Sequence, residues 1–356
     1  MKKLSVFLVL LLVGAVSTSL FAGGNSEEKA VVDVGNKSIN VAICLSTGGL
    51  GDKNFNDMAY NGLIQAQNEY NITFDYFEPE TSSDFEIALR QFADSNSYDL
   101  IIGIGNDMVD SYKEVCPDYP DQKFSLVDAG LAMDNVHSIE TRWQDQTFLC
   151  GVYAGLGTLS DMPGANEDNE VGVILGMDFP SLQTGVMGFE AGVRYVNPTC
   201  NVINATVGSF NDPAKGKEIA VSMYNRGVDF IQPIAGASGL GVFSGAKDYG
   251  FYAFGVGGNQ NYIEPTVIPA TSIRNVNEMI YDEVVSVIDN TWEPVSSKNG
   301  IVEGVVGYSR AQSEVAIPQN IEDAIADIKA KIISGDLVIC EDKNNLETWL
   351  SENQYF

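Results

Sequence analysis

The chain has 356 residues, 45% of them hydrophobic and 19% charged, with 48 Asp and Glu against 20 Lys and Arg for a formal net charge of −28. That length exceeds one small core and suits two lobes, and the composition is that of a globular chain and not a disordered one. The acidic balance excludes non-specific capture of nucleic acid or an anionic membrane, which needs a basic face.

Lys2 and Lys3, the apolar run 4–16 and the small-residue stretch 17–22 read as an export signal cleaved after Ala22. The alternative is an uncleaved membrane anchor, for which the apolar run is short. Residues 23–37 are small, charged or Gly-containing and read as a flexible tether. Cys44, Cys116, Cys150, Cys200 and Cys340 form no CxxC or CxxH pattern, so neither a metal nor another cofactor is expected. One disulfide would still leave a thiol unpaired, because the count is odd. No cysteine lies near the end of the signal. The expectation is an exported protein of the periplasm or cell surface without an acylated-cysteine anchor.

From residue 38 strand and helix patterns alternate. An apolar strand over 39–45 runs into a Gly-rich turn, 46–59, in which Phe55 lies between Asn54 and Asn56. Phe55, Met58, Ala59, Gly62, Leu63, Ala66 and Tyr70 recur at helical spacing, with Asp52 or Asn54 as the cap. Strands follow at 72–77, 99–104, 124–127 and 136–140, and helices at 83–93 and 108–115, the last ended by Cys116-Pro117. A long apolar helix at 145–159 leads into the polar stretch 161–170, which separates two similar halves. The second half places strands at 171–175, 201–207, 230–234, 251–256, 268–273 and 301–308. Its helices fall at 181–195, 212–224, 238–247, 276–288 and 321–333, with a last turn at 345–350. Gly185, Gly188 and Gly192 mark close packing along the first of these helices. Strands separated by helices of this length mean βαβ units and parallel sheets. About a dozen strands suit two doubly wound lobes better than one sheet, with the ligand in the cleft between them.

The turn at 47–52 invites a phosphate only superficially, since it lacks the Gly-Lys-Ser/Thr ending of a P-loop and is not GxGxxG. Ser209-Phe210-Asn211-Asp212-Pro213-Ala214-Lys215-Gly216 occupies the corresponding turn of the second half. Two aromatics on facing lobes can sandwich a planar ring, each stack contributing about 1–3 kcal/mol; the competing reading makes Phe55 and Phe210 ordinary core residues. Asn106, Asp107 and Asp110 follow Gly103-Ile104-Gly105, and Gly236 opens a Gly-rich turn after the strand 230–234. Such glycines let backbone N–H groups approach a ligand, or simply make tight left-handed turns. His137 is the one histidine and reads as structural, which rules out a multi-His metal site. No serine sits in GxSxG, and the chain reads as a binding protein and not an enzyme.

Several of these motifs together carry a family likeness. They are Gly48-Gly49-Leu50-Gly51-Asp52-Lys53-Asn54-Phe55-Asn56, Gly151-Val152-Tyr153-Ala154-Gly155, Gly176-Met177-Asp178, Phe189-Glu190-Ala191-Gly192, Gly208-Ser209-Phe210-Asn211-Asp212-Pro213 and Ala235-Gly236. Over about residues 39–310 the chain resembles the basic membrane protein family of solute-binding proteins, which includes the purine nucleoside receptor lipoprotein of spirochaetes. The resemblance implies a type I periplasmic-binding fold, with 38–143 plus 274–299 as one lobe and 144–273 plus 300–356 as the other. It implies hinges near 141–145, 270–276 and 298–310, and a monomer that delivers a small molecule to the permease of an ATP-driven importer.

The resemblance also implies that Phe55 and Phe210 sandwich a purine, that Asn54 and Asp110 bond its edge, and that Gly236 offers a backbone contact; Asn106 is a further candidate. Departures fall on the sugar. Ser46 and Gly257 stand where the family has aspartates, and Asn275, or Arg274, where it has a lysine. Loss of those charges removes charge-assisted hydrogen bonds. The expected ligand is therefore a flat purine-type molecule, whether nucleoside, free base or modified nucleoside. A sensor that presents its ligand to a membrane receptor is the alternative, and a secreted nucleoside hydrolase a third reading.

Overall fold

The computed structural model describes residues 38–356; the export signal and tether expected at 1–37 lie outside the described residues. The chain begins with β1 (Ile39–Cys44), α1 (Phe55–Glu69), β2 (Ile72–Phe77), α2 (Asp84–Asp94), β3 (Leu100–Ile104), α3 (Val109–Val115), β4 (Phe124–Val127) and β5 (Val136–Thr141). These strands and the later β12 form one parallel sheet in the order β12-β5-β4-β3-β1-β2. β3 and β4 are buried along their whole length, as continuous apolar runs covered by helices on both faces require. α1 and α8 cover one face and α2 and α3 the other.

The chain then runs through α4 (Trp143–Gly157), β6 (Glu170–Leu175), α5 (Pro180–Val196), β7 (Asn201–Thr206), α6 (Pro213–Tyr224), β8 (Val228–Ile234), α7 (Ser238–Tyr249), β9 (Tyr252–Ala253), β10 (Gly255–Gly257) and β11 (Thr271–Arg274). It returns through α8 (Val276–Ile288) and β12 (Ser296–Asn299), then ends with β13 (Val306–Ser309), α9 (Gln319–Ser334) and α10 (Leu346–Glu352). The second lobe holds the parallel sheet β7-β6-β8-β9 and the mixed sheet β10-β11-β13. α4 and α5 pack at backbone contact distance, because a Cβ built on Gly188 would lie 2.3 Å from the Gln144 carbonyl oxygen and one on Gly192 2.1 Å from that of Phe148.

Three stretches differ from the sequence reading. β12 was not expected, since Ser-Ser-Lys-Asn has no apolar alternation. It is an edge strand, held by backbone bonds such as Ser138 N–H to Val295 O and Arg142 N–H to Asn299 O. The strand expected at 251–256 divides at Phe254, whose N–H bonds Ile231 O while Gly255 N–H turns to Ala270 O. The strand expected at 301–308 is confined to β13, because 300–305 is a turn with Gly304 at φ 76°.

In the first sheet β1 is flanked by β2 and β3, so the connections after β1 and β3 diverge to opposite faces. β6, between β7 and β8, has the same place in the second lobe. Open α/β sheets bind ligands at such switch points, beyond the carboxyl ends of the strands.

Candidate ligand-binding site

One cavity of about 830 Å³, including its open mouth, lies among the strand ends of both lobes. Its first wall begins with the turn after β1. Asp52, buried in that turn, accepts the N–H groups of Asn54 at 2.9 Å and Asn56 at 3.0 Å. It thus stands in for the capping side chain of α1, whose formal cap, Asn54, makes no such bond. Asn56 is a tie within the turn, because its Oδ1 accepts the Ser46 N–H at 3.0 Å. With the turn held from within, Asn54 and Phe55 are left bordering the cavity.

Ser46 donates its hydroxyl to Asp107 Oδ2 at 3.2 Å, across the mouths of β1 and β3. Burial pushes the Asp107 carboxyl up to about 6, against the pull of that hydroxyl. Asn106 donates to the Asp128 carbonyl at 3.2 Å. Asp128 follows β4 in a left-handed conformation, φ 68°, and its Oδ2 accepts from Arg274 Nη1 at 2.5 Å. Arg274 ends β11, and its guanidinium carbon lies 4.8 Å from the Phe55 ring centroid and 4.2 Å from that of Trp143. Stacking on aromatics and a fixed fork suit guanidinium better than ammonium for such a place.

The facing wall is mainly apolar, with Ser181 and Asn211 as its polar side chains. Phe210, between β7 and α6, borders the cavity with Phe179 beside it, the ring centroids 6.2 Å apart. The Phe210 turn is pinned by Ser238, whose N–H donates to the Phe210 carbonyl at 3.0 Å and whose Oγ donates to the Ser209 carbonyl at 2.8 Å. Asp212 caps α6 by accepting the Lys215 N–H at 2.9 Å. Gly236 has φ 55°, and a Cβ built there would lie 3.3 Å from the Phe210 Cβ, so the backbone itself is the contact surface.

Ser46, Asn54, Phe55, Asn106, Phe210 and Gly236 thus all border one cavity. Gly257 lies directly behind Asn54, where a Cβ would come within 1.9 Å of Asn54 Oδ1. Two expected positions are corrected. Asp110 is the second residue of α3, with its side chain 93% exposed and paired to Lys113; of the carboxylates in this segment it is Asp107 that borders the cavity. Asn275 points to the outside of the crossing segment and donates to Gly304 O at 3.1 Å. Neighbouring residues of an extended chain face opposite ways, so Arg274 takes the cavity side, and the cation that position 275 lacks is present at 274.

Asp107, Asp128, Trp143 and Phe179 were not among the expected site residues. The polar strand ends at Asp107 and Asp128 were visible in the sequence. Trp143 and Phe179 left no signal, since each is a lone aromatic at a helix start.

Two doubly wound lobes joined by crossing connections, with a cavity between their strand ends, define a type I periplasmic-binding fold. An ABC-transporter solute-binding protein of Aeropyrum pernix superposes with a TM-score of 0.78 at 25% identity, covering 88% of this chain and 97% of that one. The chain belongs to the Bmp family, whose model, described as ABC transporter substrate-binding protein PnrA-like, matches residues 39–343. An uncharacterized lipoprotein of Pyrococcus abyssi is 31% identical over 323 residues, 86% of this chain and 77% of that one. Basic membrane protein A of Borreliella afzelii is 28% identical over 313 residues, 86% of this chain and 93% of that one. The family and the structural neighbour make solute binding for an ABC transporter the role of this fold here.

Proposed function

We propose that the protein captures a flat, purine-type molecule between Phe55 and Phe210 and delivers it to the permease of an ATP-driven importer. One observation carries the reading: two phenylalanines, Phe55 from the turn after β1 in the first lobe and Phe210 from the turn after β7 in the second, border the same cavity. The polar groups Asn54 and Asn106 on the first wall supply hydrogen bonds to the ring edge, and the Gly236 backbone abuts the Phe210 side. Delivery follows from the family, whose members serve ABC transporters. The lobes, 38–143 plus 274–299 and 144–273 plus 300–356, close by bending where the chain crosses between them.

Calorimetric titration with guanosine, inosine and the free purine bases, against pyrimidine nucleosides as controls, tests the ligand class. Saturable purine binding that Phe55→Ala or Phe210→Ala weakens is the expected result. Unchanged affinity in both variants would remove the sandwich.

A further inference from the structure

A second groove lies behind the crossing strand, on the side away from the ligand cavity. β11 pairs with β13 so that Ile273 stands opposite Gly307 and Arg274 opposite Val306. Successive residues of a strand face opposite ways. Arg274 therefore borders the cavity, while Ile273, Asn275 and Gly307 border the groove. The groove measures about 770 Å³, including its open mouth. The turn 300–305 forms one wall, and α9 forms the other through Lys329 and Ile333, which lie four residues apart on one helix face.

Position 307 makes the room. A Cβ built on Gly307 meets nothing within 4 Å, and Gly307 is not among the glycines with positive φ. Neither a turn nor close packing calls for a glycine there, and a glycine inside a strand often marks the close approach of a ligand. On the rims Val302 is 59% and Ile333 53% exposed. Two large aliphatics from distant segments facing one groove make a patch and not scattered surface residues.

The charge on the groove is as selective as its shape. Lys329 is the one charged side chain bordering it among the described residues, and no described carboxylate borders it. Carboxylates of α9 and of the turn are engaged elsewhere: Asp327 with Lys331, Glu322 with Arg310, and Glu303 with the Gly300 N–H. The chain carries 48 acidic against 20 basic residues, but at physiological salt their field is screened over about 8 Å. An apolar groove whose single charge is an unpaired ammonium complements an aliphatic chain that ends in an anion.

We propose that this groove is a second binding site that takes a free medium-chain fatty acid, with the chain lying on Ile273 and Gly307 between Val302 and Ile333 and the carboxylate at Lys329. The site stands apart from the purine reading and shares only the strand β11 with the cavity.

Calorimetric titration of the purified chain with decanoate, octanoate, decanol and decyltrimethylammonium, all below micelle formation, tests the site. Decanoate should saturate it, octanoate should bind about tenfold more weakly, and the cationic amphiphile should not bind. Lys329→Gln should weaken decanoate about fivefold and leave decanol unchanged. Gly307→Leu fills the floor and should abolish decanoate binding while its thermal unfolding midpoint stays at the wild-type value. Phe55→Ala should leave decanoate binding unaltered. Decanoate binding that survives Gly307→Leu, or that Phe55→Ala removes, would place the amphiphile elsewhere and overturn the proposal. So would absence of saturable decanoate binding, or binding to phosphatidylglycerol vesicles in its place.

Discussion

The two walls of the cavity are built from the same kind of turn and do opposite work. After β1 the chain makes a Gly-rich turn stiffened by its own carboxylates, with Asp57 Oδ1 accepting from Gly51 N–H and Asp57 Oδ2 from Lys53 N–H in addition to the bonds made by Asp52. After β7 the turn is pinned from outside by Ser238. The first wall presents Ser46, Asn54, Asp107 and Asp128; the second presents Phe179, Leu182, Phe210 and Ile234. A molecule held between them meets polar recognition on one side and apolar contact on the other. In the proposed reading the first lobe decides orientation and the second adds stacking area.

The largest test of that division lies in the phenylalanines. Phe210→Ala removes stacking alone and should weaken purine binding about tenfold. Phe55→Ala also takes away the ring beneath Arg274 and should cost about 100-fold. Equal losses would show that the walls share recognition evenly.

Gly257→Ala comes next. Gly257 has φ 84°, and its added Cβ would press on Asn54 Oδ1 from the second lobe. Affinity should fall about tenfold through the strain at position 257 and the displacement of Asn54, measured by calorimetry. An unchanged affinity would mean that Asn54 does not need its present position.

Asp107→Asn addresses the charge on the first wall. Its folded pKa, about 6, lies above the ordinary carboxylate value, so the stability linked to its proton is fully present below about pH 4 and lost as pH rises through 6. The asparagine variant should therefore exceed the wild type by about 1 kcal/mol at pH 8 and lose that margin by pH 4, as read from urea unfolding.

The smallest effect is expected far from the cavity. His137 lies 2.7 Å from the buried carboxylate of Glu283, which raises its pKa above the ordinary histidine value. That pairing stabilises fully below about pH 6.5 and is lost as pH climbs through the raised value. His137→Gln should cost about 1 kcal/mol at pH 6 and progressively less above it, with ligand affinity unaltered. A change in affinity would tie this lobe's interior to its wall.

Much of the fold was legible because burial writes itself into periodicity. The runs at β2, β4 and α8 carry apolar residues at the spacing their burial demands, and the sequence reading places them at the bounds the structure has. β12 was illegible because backbone pairing at a sheet edge needs no apolar side chains. The Phe55 and Phe210 turns were legible through their glycines, prolines and caps, which are local chemistry.

What the sequence by itself determined was the alternation of strands and helices, the two aromatic turns and the acidic balance that excludes polyanions. Tertiary structure alone decided which side chains meet. Arg274 and not Asn275 faces the cavity because strand pairing sets the direction in which β11 presents each residue. Asp107 and not Asp110 reaches it because helix phase turns the latter to solvent. Trp143 joins Arg274 and Asp128 across gaps of 131 and 15 residues in sequence, and no local pattern records a meeting at that separation.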